Sequence, residues 1–246
     1  MARPSAAATR PRLNRHRVLT AAVALADRIG IGALSMRRLA QELDVVPMAL
    51  YKHVANKEQL LDGMVELLVG EIDPPATGVD WRTGIRLRVL SARRVLLRHP
   101  WGRAVLESRT ARTPAVLGYI DSVIGTFRDG GFSDELTHHV MHALGSRMWG
   151  FTQELFDEPA GAATSDADGA GPTAEGPSPQ VQQATLQALA QHFPNIAATV
   201  LTATHDDGTV VARGCDDQAE FEFALDLMLD GFERLRAEGW PPRSAH

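Results

Sequence analysis

The side chains best suited to chemistry lie between residues 47 and 57, on one face of a short predicted helix. Leu50 and Val54 are spaced to point inward and pack on a neighbouring helix. The outward positions are Pro47, Met48, Ala49, Tyr51, Lys52 and His53. Side chains of these types donate to phosphates or meet base edges in nucleic-acid complexes. The pattern is typical of a groove-reading helix, although an ordinary helical hairpin in an all-α domain has the same apolar spacing.

Two helices joined by a tight turn must hold this face in place. Ser35 is a suitable N-cap for the first helix, because its hydroxyl can accept from an unpaired N–H of the first turn. The apolar stripe of that helix consists of Met36, Leu39, Ala40 and Leu43. Asp44 stands where the chain must reverse, and Pro47 suits the first position of the next helix. Asn56 caps a third helix, so the second has only about two turns and needs its neighbours for stability.

Two adjoining segments resemble the DNA-binding domain of the tetracycline-repressor (TetR) family of bacterial transcription regulators: LNRHRVLTAAVALADRIGIGALS and LAQELDVVPMALYKHVANKEQLL. The resemblance covers about residues 14–70 and is most specific in LYKHVANKEQLL. Asp44 is a departure, since the family usually has glycine there. The resemblance implies a ligand-responsive, sequence-specific DNA-binding regulator, in most cases a homodimeric repressor that a small molecule releases from operator DNA. The sign of regulation depends on where the operator lies, so activation stays open.

The resemblance and the helix geometry together divide the expected DNA contacts into two sets. Base edges are expected to face Pro47, Met48, Ala49 and Lys52. Met48 and Ala49 would contact thymine methyl groups, and Lys52 would donate to guanine. Phosphates are expected to contact Ser35, Arg37, Tyr51, His53 and Lys57. The helix-turn-helix domain (residues 14–72), called the head below, reads only a few base pairs. Two heads spaced by a DNA turn of ~34 Å are therefore expected.

The distribution of charge agrees with a single DNA-facing end. The chain has a net charge of −5, but residues 1–60 hold ten Lys or Arg and four Asp or Glu, which gives +6. Residues 61–246 hold fifteen Lys or Arg and twenty-six Asp or Glu, which gives −11. A basic end on an acidic body is the electrostatic pattern of a protein that meets phosphates with one domain. A solvated basic arm would also produce it, since half of the ten basic residues lie within residues 3–17.

The sequence divides into a flexible basic arm (1–13), a helix-turn-helix domain (14–72), an all-helical ligand-binding and dimerisation domain (73–238) and a tail (239–246). Residues 157–180 hold five acids and no Lys or Arg, which predicts a disordered acidic loop. The chain has a single cysteine, no apolar run of about 18 residues and no signal-peptide core. These features predict a cytoplasmic protein with no membrane partner.

Helical periodicity continues through the body, and no β pattern exceeds a few residues, so the predicted fold is all-α. The predicted body helices are 81–99, 103–109, 114–129, 133–156, 181–193 and 217–236. In the family, the long helix and the last helix form a four-helix bundle with the same helices of a partner. The resemblance thus predicts a dimer interface of Leu136, Val140, Leu144, Phe221, Leu225, Met228 and Phe232. The alternative is a core helix of the monomer, which needs the same stripe.

A pocket for a small molecule is expected in the body, lined by apolar side chains and a few polar ones. The candidates are aromatic, Met or Arg residues on body helices, although such residues usually fill cores. They are Trp101, Arg103, Tyr119, Phe127, Arg147, Met148, Trp149 and Phe151. Leu106 stands where the tetracycline repressor has its metal-binding histidine, which argues against a magnesium–tetracycline inducer.

Other classes of function find less support in the sequence. His138 and His142 are spaced to share a metal ion, but no third ligand follows at a diagnostic spacing. Gly30 and Gly32 follow a helix and lack the third glycine of a dinucleotide loop. No nucleophile elbow or P-loop appears, so neither catalysis nor a cofactor is expected. An architectural DNA-binding protein without a ligand is a further alternative, which the large acidic body disfavours.

Overall fold

The computed structural model describes residues 12–109, 112–150 and 217–240, together with 187, 190–195 and 198. In 146–150 and at 217 only the backbone is described. All regular structure in these residues is helical, which confirms the all-α prediction. The main helices are α1 (Arg15–Ile29), α2 (Met36–Glu42), α3 (Pro47–Leu50), α4 (Lys57–Gly70), α5 (Trp81–Arg98), α6 (Gly102–Ser108), α7 (Pro114–Asp129), α8 (Asp134–Gly150) and α9 (Asp217–Glu238). None of the described helices is long and apolar enough to cross a membrane.

The helices of the N-terminal region begin and end where capping chemistry predicts. Asn14 Oδ1 at 2.8 Å, Ser35 Oγ at 3.2 Å and Asn56 Oδ1 at 2.8 Å each accept from the backbone N–H three residues later. These bonds satisfy donors that have no partner within the helix. Gly30 ends α1 with a φ of 76°, a conformation that costs glycine little. The predicted caps at Ser35 and Asn56 are confirmed.

One apolar core runs through the first four helices and continues into α5, α6 and α7. Leu50 and Val54 have no exposed surface, and they pack with residues of α1, α2 and α4. The same cluster extends to Val95, Trp101 and Val105. Helix α4 is the shared wall, since it packs on α1, α5, α6 and α7. The chain divides into two compact units, one of residues 1–148 and 232–246 and the other of residues 149–231.

The expected boundary between head and body near residue 72 stays a prediction. Helix α4 ends close to this boundary, and its side chains pack in a core that both parts share. The arm at residues 1–11, the acidic segment 157–180 and the last tail residues lie outside the described part of the chain.

Helices α1 and α4 approach closely because one of them carries a glycine at the crossing. A Cβ placed on Gly63 would lie 2.6 Å from Cδ2 and 2.8 Å from Cδ1 of Leu19. Leu19 is 2% exposed, so its side chain has little room to move. Gly63 therefore sets the distance between α4, which leads out of the head, and α1.

An aromatic cluster fills the body between α5, α7 and the end of α9. The ring of Phe127 is fully buried, with centroids 5.8 Å from Trp81, 5.1 Å from Phe132 and 6.3 Å from Phe232. Trp81 also donates from Nε1 to Glu233 Oε2 at 3.1 Å. Tilted and edge-on aromatic pairs at these separations are stabilising. Phe127 therefore belongs to the core of the body, and its expected role as a ligand contact stays a prediction.

The residues of the predicted dimer seam are mostly buried. Six of the seven are buried within a single chain: Leu136, Val140, Leu144, Phe221, Leu225 and Phe232. Met228 is half-buried. Their place in a dimer interface stays a prediction. The large apolar side chains that α9 exposes are Phe223, 63% exposed, and Leu227, 56% exposed.

Candidate nucleic-acid interface

The turn between α2 and α3 is closed by a left-handed residue. Asp44 has a φ of 52°, the only positive φ of a non-glycine residue in the described chain. Its N–H donates to the Gln41 carbonyl at 3.1 Å, and the Val45 N–H donates to the Ala40 carbonyl at 3.0 Å. This pair of bonds is a Schellman closure, which usually has glycine at this position. Aspartate tolerates the conformation better than most residues, so the predicted reversal at Asp44 is confirmed.

Helix α3 is shorter than predicted, with one regular turn of four residues instead of two turns. Beyond it the chain continues in turns, where the N–H groups of His53 and Val54 donate to the Leu50 carbonyl at 2.8 and 3.0 Å. Such a helix has no stability of its own. Leu50 and Val54, both with no exposed surface, hold it against the core. The packing leaves the opposite face of the segment in solvent.

That opposite face is unusually apolar for a surface. Val46 is 68% exposed, Met48 70% and Tyr51 43%. Pro47 and Lys52 are also exposed, whereas Ala49 and His53 are half-buried. Exposed apolar side chains gathered in one short segment mark a surface that meets a partner. The six outward-facing residues predicted from sequence thus share this face, and Val46 is an addition that the helical spacing did not single out.

Three basic side chains beside this face are left without an intramolecular ion pair. Lys52, Lys57 and Arg37 are exposed, and none has a charged partner within the described residues. Other basic groups nearby are engaged. Arg28 is paired with Glu42 at 2.6 Å, and Arg38 Nη1 donates to the Ala33 carbonyl at 3.1 Å. Arg37 lies in the first turn of α2, Lys52 directly follows α3 and Lys57 begins α4, so the three unpaired cations belong to the elements around the turn and can bind phosphates.

Two acids follow Lys57 on α4, Glu58 in the first turn and Asp62 in the second, and a residue directly after α6 pairs with both. Arg109 Nη1 donates to Asp62 Oδ1 at 3.1 Å, and Nη2 donates to a Glu58 carboxylate oxygen. The side chain of Arg109 is only 11% exposed. Burial alone lowers the pKa of Arg109, but its bonds to Glu58 and Asp62 outweigh burial and raise it. The pairing reduces the negative field that Lys57 would otherwise share with these carboxylates.

A second contact joins the head to the segment before α6. Asp27 Oδ1, on α1, accepts from Trp101 Nε1 at 2.6 Å and lies 2.8 Å from Nδ1 of His99. Nε2 of His99 lies 3.4 Å from Glu71 Oε2 at the end of α4. Neither Arg109 nor Asp27 was singled out by sequence, because the partners are far apart in the chain. Trp101 is 6% exposed and bound to Asp27, and its expected role as a ligand contact stays a prediction.

The remaining ligand candidates are placed unevenly. Arg103 is half-buried and bonds with Glu107 at 2.8 Å, and Tyr119 lies beneath the guanidinium of Arg88. The side chains of Arg147, Met148 and Trp149, and all of Phe151, lie outside the described residues. His138 and His142 have ring centroids 4.6 Å apart. No group of three potential metal ligands occurs among the described residues.

Comparison with protein families matches both halves of the chain. Residues 18–64 match the family described as bacterial regulatory proteins, tetR family. Residues 74–236 match the family described as tetracyclin repressor-like, C-terminal domain. The first match contains the turn, α3 and most of α4, and the second contains α5 to most of α9.

Three relatives agree with these matches. The HTH-type transcriptional repressor DrrR1 of Streptomyces coeruleorubidus is 30% identical over 93% of this chain and 80% of its own. The class D tetracycline repressor protein of Escherichia coli is 43% identical over 61% of this chain and 72% of its own. An HTH-type transcriptional regulator of Saccharopolyspora erythraea is 37% identical over 50% of this chain, and the match spans 53% of that protein.

Solved structures show the same fold. A structure described as a possible TetR family transcriptional regulator from Streptomyces coelicolor A3(2) has a TM-score of 0.65 and 30% identity, covering 90% of this chain and 100% of that one. BioQ, solved with its natural double-stranded DNA operator, has a TM-score of 0.51 and 30% identity over 57% of this chain and 86% of its own. The exposed helix-turn-helix face, the two family matches and these relatives lead to one conclusion: the chain belongs to the TetR family of DNA-binding bacterial transcriptional regulators.

Proposed function

We propose that this protein is a homodimeric repressor that binds an operator through the face of α3 and is released when a small molecule binds the body. The observation that carries the proposal is the face itself. It combines exposed apolar groups at Val46 and Met48 with the unpaired cations of Arg37, Lys52 and Lys57. A surface that only needed to be soluble would not gather these groups on a helix held so firmly from behind.

The expected contacts follow from where each side chain lies on that face. Pro47, Met48, Ala49 and Lys52 are proposed to meet base edges, with Met48 and Ala49 against thymine methyl groups and Lys52 donating to guanine. A second group is proposed to bind phosphates and fix the register: Ser35, Arg37, Tyr51, His53 and Lys57. The Ser35 oxygen accepts from the Arg38 N–H, and its own O–H stays available to a phosphate oxygen.

The dimer is proposed because one head contacts too few base pairs for specificity and because α9 exposes apolar surface. A single short head contacts few base pairs, so specificity requires a second head about one DNA turn away. Phe223 and Leu227 are one helical turn apart on α9 and together expose a large apolar area. We place them in the interface with a second copy, in which the same residues face each other across a two-fold axis.

A ligand-responsive body is proposed from the C-terminal match, because that domain is named after tetracycline repressors. The resemblance to the tetracycline repressor, laid without gaps from His99, puts Leu106 where that protein has its metal-binding histidine, so a different inducer is proposed. The sequence has no nucleophile elbow and no P-loop, and we propose neither a reaction nor a cofactor.

The test is a footprint on the DNA that flanks the protein's own gene, with binding measured by fluorescence anisotropy of the protected duplex. Two protected half-sites spaced by about one helical turn are expected. Substituting Met48→Glu, which changes one exposed side chain, should abolish protection, whereas the same change at the exposed Leu117 of α7 should leave it intact. Equal binding by both variants would refute the assignment of the face.

A further inference from the structure

Arg88 of α5 is a cation held against α7 without a counter-ion. Its guanidinium carbon lies 4.7 Å above the centroid of the Tyr119 ring. Nη2 donates to Ser122 Oγ at 3.3 Å, and Nε is buried with no hydrogen-bond partner among the described residues. A guanidinium has five N–H donors, so most of its hydrogen-bonding capacity is unused here.

The surrounding carboxylates do not balance the charge of Arg88. Among described residues, the acid that acts on Arg88 through charge is Asp73. Asp73 is already paired with Arg94, whose Nη2 donates to its Oδ2 at 2.6 Å. Partial burial lowers the pKa of Arg88, which reports the cost of taking this charge out of water. Arginine nevertheless stays protonated, so the site keeps a positive charge that nothing nearby in the described chain balances.

The neighbours of Arg88 hold the guanidinium in position. Ser122 Oγ donates to the Tyr119 carbonyl at 2.7 Å, so the hydroxyl proton is committed and its oxygen is left to accept from Arg88. The Tyr119 ring supports the guanidinium plane by a cation–π contact. A fixed, planar fork of this kind matches a carboxylate, to which arginine can donate two parallel hydrogen bonds. One guanidinium also balances one monoanion.

We propose that Arg88 binds the carboxylate of a small organic acid, and that Tyr119 and Ser122 position it for that contact. The proposal rests on the proposed function, since the acid would be the molecule that the body senses. It names the chemical class of the ligand and a residue that the sequence did not single out. A neutral molecule of the same shape would leave the charge on Arg88 unbalanced and would bind less tightly.

The test uses the full-length protein with matched probes, namely 1-naphthoate and its neutral amide, 1-naphthamide. Binding is followed by titration calorimetry and by the shift in the thermal unfolding midpoint. The acid is expected to bind saturably at least tenfold more tightly than the amide. Arg88→Gln should remove this preference, and Arg88→Lys, which keeps the charge but not the fork, should retain part of it. The matched control is Arg98→Gln, an exposed arginine of the same helix that pairs with Glu71 and not with Asp73, which should keep the wild-type preference.

Equal binding of the acid and the amide, or an undiminished preference in Arg88→Gln, would overturn the proposal. So would competition by acetate at the same concentration as 1-naphthoate, because it would show a general anion effect. If Arg88→Gln unfolds, the preference in Arg88→Lys decides the matter. Operator binding is measured in parallel by anisotropy: a protein that binds its operator but not the acid contradicts this inference alone. A protein that binds the acid through Arg88 but no operator contradicts the proposed repressor function.

Discussion

Trp101 donates from its indole Nε1 to Asp27 Oδ1 at 2.6 Å, and these residues lie 74 positions apart in the chain. The bond joins α1, at the back of the reading head, to the segment that leads into α6. His99 Nδ1, 2.8 Å from the same oxygen, adds a second contact. At the other end of α6, Arg109 binds Glu58 and Asp62 on α4. Both ends of this short helix are therefore attached to the part of the protein that meets DNA.

The first prediction concerns this attachment. Trp101→Phe keeps most of the buried ring and removes the donor to Asp27, so a charged acceptor loses a partner. We expect a loss of about 1.5–3 kcal/mol in the free energy of unfolding, measured with urea. Arg94→Gln removes an exposed ion pair instead, and it should change the same free energy by less than about 1 kcal/mol. An unchanged urea midpoint in Trp101→Phe would contradict a structural role for the bond.

The second prediction separates phosphate contacts from base contacts. Lys57→Gln should weaken binding to all DNA sequences and lower the slope of log K against log salt concentration by about one per subunit. Arg128→Gln is the control, because this exposed body residue is paired with Asp134 and should leave the slope unchanged. Anisotropy titrations at several salt concentrations measure both. A wild-type slope in Lys57→Gln would remove Lys57 from the phosphate set.

The third prediction addresses sequence reading. Lys52→Gln should relax the preference for guanine at one operator position, at a cost of about 1–3 kcal/mol for the preferred sequence. Binding to duplexes already altered at that position should change little. Anisotropy competition with single-base-pair operator variants provides the measurement. A uniform loss across all variants would instead make Lys52 a phosphate contact.

A fourth prediction tests the close approach of α1 and α4. Gly63→Ala places a methyl group 2.6 Å from Leu19 Cδ2, so the buried leucine must shift, and we expect about 1–3 kcal/mol of destabilisation. Gly118, in α7, has nothing within 4 Å of an added Cβ. Gly118→Ala should therefore stabilise the protein by up to about 1 kcal/mol through helix propensity alone. Thermal and urea unfolding of the two variants should move in opposite directions.

The fifth prediction concerns assembly. Leu227→Lys places a charge in the proposed interface and should shift the protein from dimer to monomer at micromolar concentration in analytical ultracentrifugation. Leu117 is similarly exposed, at 53% against 56%, but lies on α7. Leu117→Lys should sediment like the wild-type protein. A dimeric Leu227→Lys would exclude this face of α9 from the interface.

Local chemistry explains why so much of the reading head was predictable from sequence. Caps such as Asn14 and Asn56 act within three residues, and the left-handed conformation of Asp44 needs only its own backbone and side chain. The inward positions Leu50 and Val54 follow from helical spacing, and the outward residues are what remains. The length of α3 was overestimated because a short helix ends where tertiary packing, rather than propensity, stops supporting it.

Long-range pairs explain what the sequence did not reveal. The partners of Asp27, Arg88 and Arg109 come from other helices, and nothing near them in the chain indicates which helix that will be. The dimer seam stays a prediction for a different reason. An amphipathic stripe that covers a monomer core and one that meets a partner have the same spacing, so only burial in the folded chain distinguishes them.

The position of α4 as a wall shared by head and body has a consequence for dissecting the protein. A fragment that stopped at residue 72 would strip Met64, Leu68 and their neighbours of cover from Trp101 and Val105. Such a fragment would expose the apolar side of α4 to water, and it should aggregate or unfold at low temperature. In the intact chain, heating should unfold α1 to α7 in one step, because α4 packs on α1, α5, α6 and α7 within the described residues.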